Sequence, residues 1–115
     1  KDNDGLTVNV AINYGGRAEI LNAAKEIIDA NVSSANVDEE LFSKYLQTKD
    51  SPDPELIIRT GGEQRLSGFL LWQAAYSELY FTDVLWPDFN KKELLKAIKD
   101  FYSRERKFGG IKNED

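Results

Sequence analysis

The chain has no cysteine, no histidine and no methionine, and only three prolines in 115 residues. Without cysteine there is no disulfide framework, no thiolate nucleophile and no zinc–thiolate site. Without histidine there is no Ser-His-Asp chemistry, no imidazole acid or base and no imidazole metal ligand. Carboxylates, hydroxyls, amines and guanidiniums remain, so a metal bound here would be a hard ion, with magnesium the first choice. No run approaches the roughly 18 apolar residues of a membrane span, and nothing resembles a signal peptide. The expectation is a soluble protein made in the cytoplasm. The chain opens on Lys1-Asp2-Asn3-Asp4-Gly5 with no initiator, and so reads as a piece of something longer. A net charge of -5 argues against nucleic acid as the main partner, because binders of a phosphate backbone carry a basic footprint.

What is present is a globular composition, 41% hydrophobic, in a length that allows one domain at most. Residues 6–14 alternate, with Leu6, Val8, Val10, Ile12 and Tyr14 on one face, and predict a first strand. Gly15-Gly16 breaks it. From Arg17 the apolar spacing becomes Ile20, Leu21, Ala24, Ile27 and Ile28, an amphipathic helix ending near Asn31. The glycines lack the G-x-G-x-x-G spacing of a dinucleotide loop, and a structural turn is the preferred reading of Asn13 to Arg17. Asp38 is placed as an N-cap, with Val37 and Phe42 as a hydrophobic staple and Leu41, Phe42, Tyr45 and Leu46 as one packing face.

The chain is organised around residues 56–89. Leu56-Ile57-Ile58, behind a Pro-Asp-Pro break, suits a buried parallel strand, and Arg59 sits at its end. Thr60-Gly61-Gly62-Glu63-Gln64-Arg65-Leu66-Ser67 is then a loop with two glycines, two arginines, a glutamate and two hydroxyls, leading into an apolar run. In an open α/β sheet, ligands bind outside the carboxyl ends of the strands. Glycine N–H groups, a helix N-terminus and two guanidinium forks would together suit a diphosphate. Equally, Arg59 and Arg65 could pair with Glu63 or surface acids while Ser67 caps the helix.

Residues 69–78 are apolar almost all round and predict a buried helix, with Trp72 and Tyr76 sharing a core face. Glu78 would end that helix, where the macrodipole disfavours a carboxylate and asks for a cation, a donor or solvent. Residues 79–84 predict a third strand. Asn90 and Glu93 have capping-box spacing ahead of a last helix with Leu94, Leu95, Ile98, Phe101 and Tyr102 on its apolar face, ending at Lys107-Phe108-Gly109-Gly110. Three strands alternating with helices give an α/β fold with a largely parallel sheet flanked by helices.

The run Asp53-Pro54-Glu55-Leu56-Ile57-Ile58-Arg59-Thr60-Gly61-Gly62-Glu63-Gln64-Arg65-Leu66-Ser67, followed by Phe69, Trp72-Gln73, Tyr76, Glu78, Phe81 and Trp86-Pro87, closely resembles the signature of the cis-prenyltransferases, of the bacterial undecaprenyl diphosphate synthase type. Asn13-Tyr14-Gly15-Gly16-Arg17 and Arg104-Glu105-Arg106-Lys107-Phe108-Gly109-Gly110 extend the resemblance over the whole chain. It implies about half of that fold, the C-terminal part of a single catalytic domain. It also implies condensation of isopentenyl diphosphate with an allylic diphosphate such as farnesyl diphosphate, forming cis double bonds, to make the undecaprenyl carrier lipid for cell-wall synthesis. By the same resemblance Arg59, Arg65 and Ser67 bind the isopentenyl diphosphate head, Glu63 supports the arginines, and Glu78 is associated with Mg2+. A homodimer is implied too, with residues 69–80 and the last helix as candidate contacts, as is peripheral contact with a membrane through the lipid product.

Two departures stand out. The family's Asp-Gly-Asn-Gly-Arg segment, which carries the central aspartate, occurs nowhere in the chain, so these 115 residues alone are expected not to turn over. The family's terminal Arg-x-Gly stands here as Lys107-Phe108-Gly109, where lysine keeps the charge and loses the fork. A non-catalytic partner subunit or scaffold with the same fold, and a generic phosphate-binding domain, are the competing readings.

Overall fold

A computed structural model describes residues 3–104. In chain order its elements are helix α1 (Gly16–Asp29), a 3-10 turn (Ser34–Asn36), the short helix α2 (Glu39–Ser43), strand β1 (Leu56–Arg59), strand β2 (Glu78–Phe81), a second 3-10 turn (Trp86–Asp88) and helix α3 (Lys91–Ser103). β1 and β2 pair in parallel, with Leu56 opposite Glu78 and Arg59 opposite Phe81. Helix α3 lies against β2 and α1 against α2. The α/β class with a parallel sheet flanked by helices is what the sequence predicts.

The caps follow local chemistry. Asp38 Oδ1 accepts from the Leu41 N–H at 2.8 Å and starts α2. Asn90 Oδ1 accepts from the Glu93 N–H at 3.1 Å and starts α3. The Glu93 carboxylate instead takes Lys96 at 3.3 Å. The last helix ends at Ser103, and Lys107 to Gly110 lie outside the described residues.

Four expectations are corrected. Residues 6–14 form no strand and pair with none among the described residues, and Asn13 is left-handed (φ 53); Leu6 is 91% and Ile12 84% exposed. Alternation reports a chain suited to a ladder, but a strand also needs a neighbour offering free N–H and C=O groups. The sheet of the described residues therefore has two strands, where three were predicted.

The helix expected at 69–78 is a train of turns. Ser67 (φ 50), Gly68 (φ 82) and Leu70 (φ 49) are left-handed, which a continuous right-handed helix excludes. Trp72 still packs, 4.4 Å from the Phe42 ring centroid and donating to Ser43 Oγ at 3.3 Å, but Tyr76 is 69% exposed and shares no core face with it. Glu78 consequently opens β2 instead of closing a helix.

The buried stripe of α1 is Gly16, Glu19, Ala23 and Ile27, displaced from the predicted one, and Leu21 and Ile28 face out. Of the apolar face predicted for α3, Leu94, Leu95 and Tyr102 are exposed, while Ala97 is fully buried.

The start of α1 docks directly on the turn train, with the Gly16 N–H donating to the Gly68 carbonyl at 2.8 Å. A Cβ on Gly16 would fall well inside 3.0 Å of that carbonyl oxygen and 2.8 Å from Leu71 Cγ. Helix propensity alone would favour alanine over glycine by about 1 kcal/mol. The clash is with backbone and outweighs it. Gly16→Ala is expected to lower stability by about 1–3 kcal/mol in urea unfolding, as overpacking does; an unchanged midpoint would contradict the close approach.

Candidate functional site

Arg59 ends β1, and its carbonyl accepts the Thr82 N–H at 3.0 Å, which fixes its backbone beside the end of β2. Gly61 (φ 88) and Gly62 (φ 86) then turn the chain back, so that their N–H groups donate to the Val84 carbonyl at 2.9 Å and the Thr82 carbonyl at 3.0 Å. Positive φ is the reason for glycine at both positions. The two amides are thus engaged inside the protein, and since no helix follows the loop, neither a glycine nest nor a helix terminus faces an anion here. These two glycine amides therefore take no part in anion recognition, for which the loop side chains are available.

Those side chains are arranged as follows. The Arg59 guanidinium donates from Nη1 to Ser67 Oγ at 2.8 Å and to the Arg65 carbonyl, which draws the far end of the loop over β1. Arg59 and Ser67 line a cleft of about 370 Å3 with Tyr14, Ile57, Ile58, Leu66 and Phe69. Arg65 pairs with Glu63, and both are at least half-exposed outside that lining. The structure brings together Arg59 and Ser67 of the predicted set, and it realises the ion pair between Arg65 and Glu63. Ser67 caps no helix.

Glu78 stands apart. In the parallel register it lies opposite Leu56, at the end of the sheet away from Arg59. Arg104 Nη1 donates to its carboxylate at 3.0 Å, and Nη2 of the same guanidinium lies 2.7 Å from Asp100. The hydrogen bond to Glu78 is the first cause holding Arg104 above the ordinary guanidinium pKa. Among the described residues no three Asp, Glu, His or Cys side chains gather as metal donors. A carboxylate already held by a guanidinium, outside any cluster of three acidic donors, does not by itself build the near-octahedral oxygen shell of Mg2+. The described residues by themselves do not assemble a shell for that metal around Glu78.

Sequence reading missed the residues behind the cleft. Glu19, 3% exposed, accepts from the Tyr14 hydroxyl at 2.5 Å, from Gln73 Nε2 at 2.8 Å and from the Gln47 N–H at 3.0 Å. Gln73, 2% exposed, also donates to Thr48 Oγ1 at 3.0 Å. The Tyr14 ring meets the Phe69 ring edge-on at 5.8 Å. Two signals were available: a carboxylate three residues into α1 on the side of Gly16 and Ala23, and one amide inside the otherwise apolar Phe69-Leu70-Leu71-Trp72-Gln73-Ala74-Ala75.

The family profile described as putative undecaprenyl diphosphate synthase matches residues 1–109. The chain belongs to that family. It is 60% identical over 113 residues to an isoprenyl transferase of Fusobacterium nucleatum, covering 98% of this chain and 48% of that protein. Against an isoprenyl transferase of Aquifex aeolicus it is 54% identical, over 99% of this chain and 48% of that protein. Among solved structures it superposes on a probable undecaprenyl diphosphate synthase from Campylobacter jejuni with a TM-score of 0.79 and 43% identity, covering 92% of this chain and 49% of the other. A lavandulyl diphosphate synthase from Lavandula x intermedia, in complex with dimethylallyl diphosphate, gives a TM-score of 0.80 and 39% identity over 85% and 44% of the two chains. The chain thus spans about half the length of these relatives, and its prenyltransferase family and fold are established together.

Tyr14 gives the site a titration signature. Burial first, and then the hydrogen bond to Glu19, push its phenol up from 10.0 to about 12. A raised acid keeps its proton longer in the folded state, so the stability it supports is complete below pH 10 and drains away between pH 10 and about 12. Urea unfolding of wild type is expected to weaken across that window more steeply than that of Tyr14→Phe; parallel curves would contradict the burial of this hydroxyl against Glu19.

Proposed function

We propose that this chain is the isopentenyl-diphosphate-binding, C-terminal part of a cis-prenyltransferase catalytic domain, with the cleft between Arg59 and Ser67 as the diphosphate site. The observation that carries the reading is the convergence of a guanidinium and a hydroxyl at the end of a parallel strand, beneath an apolar wall. A forked guanidinium suits diphosphate oxygens. Ile57, Ile58, Leu66 and Phe69 offer the five-carbon isopentenyl group an apolar surface.

On this reading the complete enzyme joins the terminal alkene carbon of isopentenyl diphosphate to C1 of an allylic diphosphate such as farnesyl diphosphate. The allylic carbon–oxygen bond breaks, inorganic diphosphate leaves, and loss of one proton sets the new cis double bond. Repetition builds the polyprenyl, undecaprenyl, carrier lipid used in cell-wall synthesis. Arg59 and Ser67 bind and orient the head group. Arg65 joins them by exchanging Glu63 for a diphosphate oxygen, and Glu63 holds it near the cleft until then. The segment with the central aspartate is absent from the sequence, so the chain binds substrate and does not turn it over. Homodimer formation, the Mg2+ association of Glu78 and membrane contact through the lipid product belong to the complete enzyme, and no step here is routed through the metal. A non-catalytic partner subunit is the competing role; it would be expected to lose the loop arginines before the core, and Arg59 and Arg65 are both present.

Calorimetry on the chain should show binding of isopentenyl diphosphate. Arg59→Ala should weaken it about 10- to 100-fold, as for a hydrogen bond to a charged group worth about 1.5–3 kcal/mol. Unchanged affinity in a folded Arg59→Ala variant would remove the assignment.

A further inference from the structure

We infer that Glu19 is a positioning residue for the cleft: its buried carboxylate sets the place of Tyr14 and of the arm that carries Ser67. The inference rests on the diphosphate reading of the cleft and extends it to a residue outside the lining.

Glu19 joins three separate segments of the chain. Its two oxygens accept from Tyr14, Gln73 and the Gln47 backbone, which belong to the turn before α1, the turn train after the arginine loop, and the stretch before β1. Tyr14 is itself a wall of the cleft, and Gln73 is four residues past Phe69, another wall. The Gly16 N–H holds Gly68, next to Ser67, from the same turn. The position of Ser67 and Phe69 relative to Tyr14 is thus tied at Gly16–Gly68 and at Glu19–Gln73, with the ring contact between Tyr14 and Phe69 in between.

Stability alone does not account for this choice of residues. Both Gln73 amide hydrogens serve Glu19 and Thr48, and Gln73 Oε1 is left buried with no hydrogen-bond partner among the described residues. A buried unsatisfied acceptor is costly, and well-packed apolar residues of similar volume would avoid the cost. An apolar contact, however, is non-directional and would let the turn and the arm slide. Three directed hydrogen bonds to one carboxylate fix distance and angle together. An error of about 1 Å in such a shell is enough to impair a site. All members of the bridge lie within this chain, so the bridge does not depend on what completes the enzyme.

The test compares wild type with Glu19→Gln, Glu19→Asp and Tyr14→Phe, using amide hydrogen exchange and calorimetry with inorganic diphosphate on the 115-residue chain. Glu19→Gln sets an NH2 donor either against the Gln47 N–H or, with the amide reversed, against the donors of Tyr14 and Gln73. Exchange at residues 14–17 and 59–73 is expected to rise about tenfold, with residues 91–103 little changed, as for a local opening that loses one buried hydrogen bond. Diphosphate affinity should fall about tenfold by the same loss. Tyr14→Phe should shift both in the same direction by less, and Glu19→Asp, which keeps the carboxylate, should recover part of the loss.

A merely structural role would raise exchange in α3 by the same factor as at the cleft, or leave the affinity of the folded protein unchanged; either result overturns the inference. If wild type binds no diphosphate, the reading of the cleft fails instead. The exchange pattern then decides the positioning role alone, a localised rise sustaining it and a uniform rise overturning it.

Discussion

One carboxylate holds the cleft end of the structure together. A buried Glu19 surrounded by apolar atoms would be prohibitively expensive, and it is tolerated because the Tyr14 hydroxyl, the Gln73 amide and the Gln47 N–H all point at it. Those donors come from residues far apart in the chain, so their shared acceptor converts separate loops into one wall. The apolar core is small by comparison: Ala23, Ile27, Leu46, Ile57 and Ala97 are its buried members among the described residues. With so little burial to fix geometry, directed polar contacts carry more of the task. The close approach of Gly16 to Gly68 is the steric counterpart of the same constraint.

The arginine loop obeys a different logic. Its glycines turn inward to bind the carbonyls after β2, so these two amides tie the loop to the sheet and do not face a ligand. Arg59, whose guanidinium is tied to Ser67 and to the Arg65 carbonyl, is pre-oriented, which lowers the entropy lost on meeting an anion. Arg65 is held by an exposed partner, and exposed ion pairs are weak, so a diphosphate can compete for it at little cost. Glu78, at the far end of the register and gripped by Arg104, works in another locality of the sheet.

Much of this was legible in the sequence, for identifiable reasons. β1 announced itself as an apolar run behind prolines, α3 by an Asn cap and helical spacing, and the arginine loop by its composition; each depends on local chemistry that the chain states outright. The failures share another cause. Residues 6–14 alternate as a strand should, yet a strand is defined by its neighbour, and none of the described residues provides one. Residues 69–78 are apolar all round, which fits a buried helix, but left-handed Ser67, Gly68 and Leu70 break it, and only the glycine advertised that. The network of Glu19 and Gln73 was overlooked because a polar residue in an apolar stripe reads as an interruption until its partners, 28 and 54 residues away, are known. The resemblance to cis-prenyltransferases needed only the order of residues, and it survived all of these local errors.

The most direct measurement is a crystal structure of the chain with isopentenyl diphosphate. The diphosphate is expected within hydrogen-bond reach of the Arg59 guanidinium and the Ser67 hydroxyl, with the hydrocarbon against Leu66 and Phe69. Diphosphate bound instead at the lysines of α3 or beside Arg104, with the cleft left to solvent, would contradict it.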